Sequence, residues 1–257
     1  MAKTQLRRGS GFRVRGSGYL PRTQNPQPRT SKGYYPLFAD LRGRRVIVVG
    51  GGMVAQRKVT TLLRFGAKVT VINPIATQRL KRYAKQGLIR YVPRRFKACD
   101  VEGAWLVYAA TNDESINRLV DQTARRLRIF TNVVDQPARC SFIAPAIMKR
   151  GELVIAISTG GASPTVAKRL RREFERTIGA EYAELLRLLN SLRPIAKRKL
   201  PSYDDRKRYF DHLVRGRVFE LVRAGKTQTA RREALAQLDS RSTKYPITKS
   251  QSPNNHQ

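Results

Sequence analysis

Two cysteines in 257 residues, Cys99 and Cys140, make no disulfide framework and no paired metal-binding spacing. A reduced, cytoplasmic setting is expected, with both thiols buried as small apolar groups. Histidine is as scarce. His212 lies in a late helical stretch and His256 in the C-terminal tail, so neither offers an obvious general base. A carboxylate is then the expected proton acceptor in any acid–base chemistry. Acids are also few: eighteen Asp+Glu face fifty-two Lys+Arg, a formal charge of +34. Such a field attracts polyanions: nucleic acid, anionic lipid or a multiply carboxylated small molecule. No nucleic-acid module or aromatic stacking pattern accompanies the charge. No apolar run reaches the roughly 18 residues of a membrane span.

What is present is a globular chain with two polar ends. Hydrophobic residues make up 40%, and the length allows one or two domains. Residues 1–33 carry eight basic residues and no acid, and are rich in Gly, Pro and Ser. They read as a disordered basic arm capable of nonspecific polyanion contact. No apolar h-region marks a secretory signal. The arm's arginines suit an organelle-targeting peptide, but its Gly and Pro break any amphipathic helix. Residues 240–257 read as a disordered tail.

Between the ends, strands alternate with helices. Arg45–Val49, Lys68–Ile72, a strand from Leu88, Ala104–Ala109 and a strand from Arg128 are expected as strands. Val54–Phe65, Thr77–Gln86 and Ser115–Arg126 are expected as helices, the first stopped by Gly66, where a positive φ is cheap. That alternation implies right-handed crossovers and a parallel sheet. After Asp135 two apolar strands flank Lys149-Arg150-Gly151, which is hairpin grammar. Ser163 and Pro164 then suit the cap and first position of a helix. The remainder to about Asp239 reads as helices, with the apolar residues of "AELLRLLNSL" in core or interface and Pro194 and Pro201 as punctuation. The expected fold is α/β: a Rossmann-type parallel sheet, a small α+β dimerisation element and a C-terminal helical region. The boundaries are 34–140 for the NAD-binding domain, 141–190 for dimerisation and substrate, and 191–239 for the helical domain.

Four β-branched residues, Val46 to Val49, run into Gly50-Gly51-Gly52. Gly50-x-Gly52-x-x-Ala55 fits the dinucleotide fingerprint, with a tight turn, a bare backbone for a pyrophosphate and a small residue for helix–strand packing. Helix N–H groups and a partial positive charge complete an anion site. The ribose position at the end of the second strand is Asn73, followed by Pro74. An acid there would repel a 2′-phosphate; asparagine repels it much less, so NAD is favoured over NADP only mildly. Thr111-Asn112 and Asp135 follow the fourth and fifth strands, on the edge where an open sheet forms its crevice. By position alone Asp135 is equally a site acid or a turn-former before Gln136-Pro137. Thr159-Gly160-Gly161 is either a second bare backbone for a substrate carboxylate or a plain connector.

The segments "YYPLFADLRGRRVIVVGGGMVAQRK", "TNVVDQP", "SFIAPAI" and "ISTGGASP", in that order, resemble the precorrin-2 dehydrogenase family, the dehydrogenase/ferrochelatase module of sirohaem synthase. The resemblance covers roughly residues 34–235 and looks like the stand-alone form, since the chain is too short for a fused methyltransferase module. It implies NAD-dependent oxidation of precorrin-2 to sirohydrochlorin, with Fe2+ as a further substrate in those relatives that also make sirohaem. It places the essential aspartate on Asp135 and cofactor contacts on Met53, Val54, Asn73 and Pro74 besides the glycines. Within its motifs Asn132, Ser141, Thr159, Gly160 and Gly161 are the substrate contacts expected. It implies a homodimer built through about 141–190 and no permanent metal. A phosphorylatable serine known in one form falls on Thr159 here, which leaves such control open. The alternative from another class is an NAD-sensing regulatory module without turnover, which would need neither Asp135 nor the second glycine loop.

Overall fold

The computed structural model describes residues 33–243; the basic arm before them and the tail after them lie outside the described residues. Five strands form one parallel sheet: β1 (Arg45–Val49), β2 (Lys68–Ile72), β3 (Ile89–Val92), β4 (Leu106–Ala109) and β5 (Phe130–Val133). Their order is β3-β2-β1-β4-β5. The run at β1 is apolar throughout because both faces are covered. Val46 and Val48 enter one core with Ala55, Val59, Val69 and Tyr108. Ile47 and Val49 enter the other with Ile72, Val107, Val120 and Val133. Helix α1 (Met53–Arg64) buries Ala55, Val59 and Leu62, a helical stripe, against the first of these. It stops where expected, at Gly66 with φ +73°. Helices α2 (Gln78–Lys85) and α3 (Glu114–Arg126) follow β2 and β4. The Rossmann-type expectation holds, and the order reverses between β1 and β4, the switch point where such sheets bind ligands.

Element ends shift for local reasons. The fifth strand starts at Phe130 rather than Arg128, because Arg128 takes φ +55° and cannot be extended. The hairpin strands are β6 (Ala146–Arg150) and β7 (Leu153–Ile157), with Arg150 paired to Leu153. The turn is therefore Gly151-Glu152. Lys149 and Arg150, expected in the turn, belong to the ladder, and Gly151 supplies φ +56°. Helix α4 (Pro164–Thr177) begins as expected, Ser163 Oγ accepting from Val166 N at 3.2 Å.

The rest is helical: α5 (Glu181–Lys199), α6 (Tyr203–Arg215), α7 (Arg217–Arg223) and α8 (Thr227–Thr243). Leu185, Leu188 and Leu192 of α5 pack with Tyr209, Leu213, Val218 and Leu238 in a core of their own. Pro194 does not punctuate this region; it sits inside α5. It lacks an N–H for the carbonyl of Asn190, yet buried Leu192 and Ala196 on either side hold the helix on course. The boundary expected at 190–191 accordingly falls within α5, and α8 runs past residue 240. Cys99 is exposed rather than buried, on a short 3-10 turn (Ala98–Val101) where only Val101 is buried; Cys140 is half-buried.

Candidate functional site

The three glycines do different work. A Cβ on Gly50 would collide with the Ala110 carbonyl, and Gly50 also has φ +129°. A Cβ on Gly51 would collide with the Ile75 carbonyl oxygen and come 3.0 Å from Ala76 Cα. Both positions are therefore fixed by close packing of this turn on the loops after β4 and β2. Gly52 is different: a Cβ there meets nothing within 4 Å. Gly52 is the N-cap of α1 with φ −81°, and it offers no side chain to cap the helix. The first turn of α1 holds no acid. Its leading N–H groups and positive helix end thus face open space, a cradle that fits a pyrophosphate. Exposed Met53 and half-buried Val54 form the rim.

Asn73 ends the neighbouring strand. Its Nδ2 donates to the Ile75 carbonyl at 2.6 Å, leaving Oδ1 as the side chain's acceptor. The Pro74 carbonyl accepts from Tyr91 Oη at 3.1 Å, which fixes the loop. Arg79 does not reach back to Asn73. Its Nε donates to Tyr83 Oη at 2.9 Å and its guanidinium lies 5.6 Å from that ring's centre.

Across the switch point, Thr111 Oγ1 accepts from Asp113 N at 3.0 Å, and the Thr111 carbonyl accepts from Asn117 Nδ2 at 2.9 Å. Asn112 is exposed beside them. Asp113 caps α3 by accepting from Ser115 N and Ile116 N. Asp135 follows β5, exposed, and is one of two non-glycine residues with positive φ among those described, at +60°. Aspartate tolerates that region better than most residues, but the conformation is uncommon and costs energy. The loop is braced from α3: Glu114 accepts from Gln136 Nε2 at 2.6 Å and from Arg139 Nη1 at 2.5 Å. Those two partners hold the Glu114 carboxyl below the usual carboxylate range.

Behind Asp135 the site is built from β4, β5 and the segment after them. Asn132 is buried and donates to the Phe142 carbonyl at 3.0 Å. Ser141 is exposed, but its Oγ accepts from Thr131 N at 2.7 Å and its N donates to the Thr131 carbonyl. Both residues thus tie the 140–142 segment to β5. Cys140 Sγ donates to the Val133 and Gln136 carbonyls at 3.2 and 3.3 Å. Tyr108 meets Phe142 edge-to-face at 5.4 Å, and Lys58 Nζ from α1 lies 5.1 Å from the Tyr108 ring centre.

Residues 50–54, 73–74, 111–112 and 135 therefore share the carboxyl edge of the sheet. Thr159-Gly160-Gly161 belongs to the other sheet, joining β7 to α4. Gly160 and Gly161 take φ +64° and +94°. The backbone there is less bare than expected: Gly160 N, Ala162 N and Ser163 N donate to Ser158 Oγ, the Thr159 carbonyl and Thr159 Oγ1. Glu114, Asn117, Arg139 and Lys58 were not singled out from the sequence. Only Glu114, beside the Asp113 cap, had a local signal.

Comparison with known proteins agrees with this fold. A family model described as "Putative NAD(P)-binding" matches residues 37–146, the parallel sheet. "Sirohaem biosynthesis protein central" matches 150–177, and "Sirohaem synthase dimerisation region" matches 181–238. Over most of its length the chain is similar to sirohaem synthases. A sirohaem synthase of Thioalkalivibrio sulfidiphilus is 39% identical over 198 residues, 77% of this chain and 40% of that protein. One of Methylococcus capsulatus is 40% identical over 206 residues, 80% of this chain and 44% of that protein. The chain thus spans less than half the length of these sirohaem synthases. The solved structure titled SirC, precorrin-2 dehydrogenase superposes with a TM-score of 0.65 at 26% identity, covering 80% of this chain and all of that one. The dimerisation match lies on α5–α8, beyond most of the 141–190 segment expected to carry it, and among the described residues no helix is long and apolar enough to cross a membrane.

Proposed function

We propose that this chain oxidises precorrin-2 to sirohydrochlorin with NAD in a reduced, cytoplasmic setting. The observation that carries the reading is the open Gly52 at an uncapped helix end, on the same sheet edge as Asp135. Gly50 to Val54 would hold the pyrophosphate, Asn73 Oδ1 would accept a ribose hydroxyl, and Thr111-Asn112 would close the nicotinamide side. The tie of Arg79 Nε to Tyr83 Oη holds that side chain along α2 rather than against Asn73, which favours NAD over NADP mildly. Bound NAD would supply the hydride acceptor. Asp135 takes or relays the proton that leaves with the hydride, and the Glu114 brace fixes where its carboxylate stands. Asn132 and Ser141 shape the substrate wall by holding the 140–142 segment. Thr159 to Gly161 is the weaker substrate contact, since Gly160 N is already engaged by Ser158 Oγ and the loop belongs to the other sheet.

Precorrin-2 carries eight carboxylates, which suits a strongly cationic chain. Fe2+ enters this reading only as a second substrate, with Asp135 as the acceptor of pyrrole protons. Among the described residues no three His, Cys, Asp or Glu side chains cluster to hold a resident metal. The active species is a homodimer. Val166, Leu170 and Phe174 support this, being exposed at helical spacing along one side of α4. Anaerobic incubation with precorrin-2 and NAD tests the reading: NADH and sirohydrochlorin should appear in equal amounts. A chain that binds NAD but leaves precorrin-2 untouched is instead a nucleotide-sensing module.

A further inference from the structure

Among the described residues Lys58 is a cation without a matching anion. It projects from α1 toward β4, half-buried, with Nζ over the Tyr108 ring. Tyr108 is itself 7% exposed, and burial pushes its phenol above the usual range. It therefore presents a neutral π face to the ammonium, not a counter-charge. Cys140, the next neighbour, spends its S–H on two backbone carbonyls. No carboxylate among the described residues stands within ion-pair distance of Lys58. Burial, joined by the nearby Arg57 charge, pushes the Lys58 ammonium below the usual lysine range, against the pull of Cys140 and Asp135. A half-buried ammonium in that position gains from an incoming anion far more than a solvated surface lysine does.

The surroundings suggest which anion. Tyr108 and Phe142 meet edge-to-face, and Phe130 meets Phe142 at 6.5 Å. Lys58 thus stands beside an aromatic wall and close enough to Asp135 to feel its charge. An apolar ring edged with carboxylates complements the half-buried Phe142 together with the cation.

We propose that Lys58 is a substrate-binding residue that takes one peripheral carboxylate of the tetrapyrrole and so fixes the ring's rotation over Asp135. The inference rests on the dehydrogenase reading above, and its test separates the two. Lys58→Met keeps the stem over Tyr108 and removes the charge; Lys58→Arg keeps the charge. Binding of sirohydrochlorin should weaken about 10–100-fold in Lys58→Met, the range for losing one charge-assisted hydrogen bond. KM for precorrin-2 should carry the kinetic loss, NAD affinity should hold within about twofold, and Lys58→Arg should recover most of the binding. Should Lys58→Met fold poorly, Lys58→Gln carries the same test. Unchanged sirohydrochlorin affinity in the neutral variant, or a loss confined to kcat, overturns the inference while leaving the dehydrogenase reading standing. A wild-type chain that binds NAD but does not oxidise precorrin-2 overturns both.

Discussion

Gly52→Asp separates cofactor binding from folding. An aspartate at 52 meets no atom within 4 Å and inherits an N-cap backbone of φ −81°. Aspartate is also a better N-cap than glycine by a few tenths of a kcal/mol. The folded state should therefore be unharmed or slightly stabilised. The cofactor site should not survive so well. The new carboxylate accepts the N–H groups that the pyrophosphate needs and adds a like charge beside it. A unit pair at 4 Å repels by about 1 kcal/mol in water and about 4 kcal/mol at an effective dielectric of 20. At roughly 1.4 kcal/mol per decade, NAD affinity should fall by about 5- to 1,000-fold. Gly51→Ala is the contrasting variant. Its Cβ runs into the Ile75 carbonyl, and the loop cannot yield freely because Thr77 N donates to the Gly51 carbonyl at 2.9 Å. Overpacking of this kind costs about 1–3 kcal/mol, so this variant should lose melting temperature even without cofactor. Calorimetric titration with NAD and thermal melts of both apo variants decide the matter. Full NAD affinity in Gly52→Asp, or a cold melt equal to that of Gly51→Ala, would refute the assignment of these glycines.

Asp135→Asn should keep the left-handed turn and lose about 10²–10⁴-fold in turnover with NAD affinity intact; near-normal dehydrogenation by a folded variant rules out the proton role. Asp135→Gly should be equally inactive yet melt no lower than wild type, because glycine adopts φ +60° without strain. Side-by-side kinetics should favour NAD over NADP, though less sharply than an acid at 73 would; a clear NADP preference contradicts the roles given to Asn73 and Arg79. Deleting residues 1–33 should leave turnover nearly unchanged, and a large loss in a folded variant would place the arm in the site. Leu170→Glu with Phe174→Glu should shift the sedimentation mass from dimer to monomer, and an unchanged mass removes α4 from the interface.

The parallel sheet was legible because its signals are local. A β-branched run before glycines, a helix stop at Gly66 and strands that alternate with helices need no distant partner to be recognised. The fingerprint positions were legible for the same reason, but their division of labour was not. Which glycine is pinned and which is open depends on where Ile75 and Ala110 come to rest, and those contacts cross between loops. The hairpin turn slipped because Lys149 and Arg150 look polar enough for a turn, while the φ of Gly151 and the pairing of Arg150 with Leu153 decide otherwise. Cys99 misled because cysteine's usual burial says nothing about a 3-10 turn on the surface. Lys58 was invisible beside Arg57 in the same helix; only its seat over Tyr108 distinguishes it from a solvated neighbour.

The most direct test of the central claim is one anaerobic reaction of the purified chain with precorrin-2 and NAD, followed by absorbance. The account predicts that the NADH absorbance and the sirohydrochlorin spectrum rise together, one for one, and that NAD omission abolishes both. Tight NAD binding with no change in the precorrin-2 spectrum would contradict it.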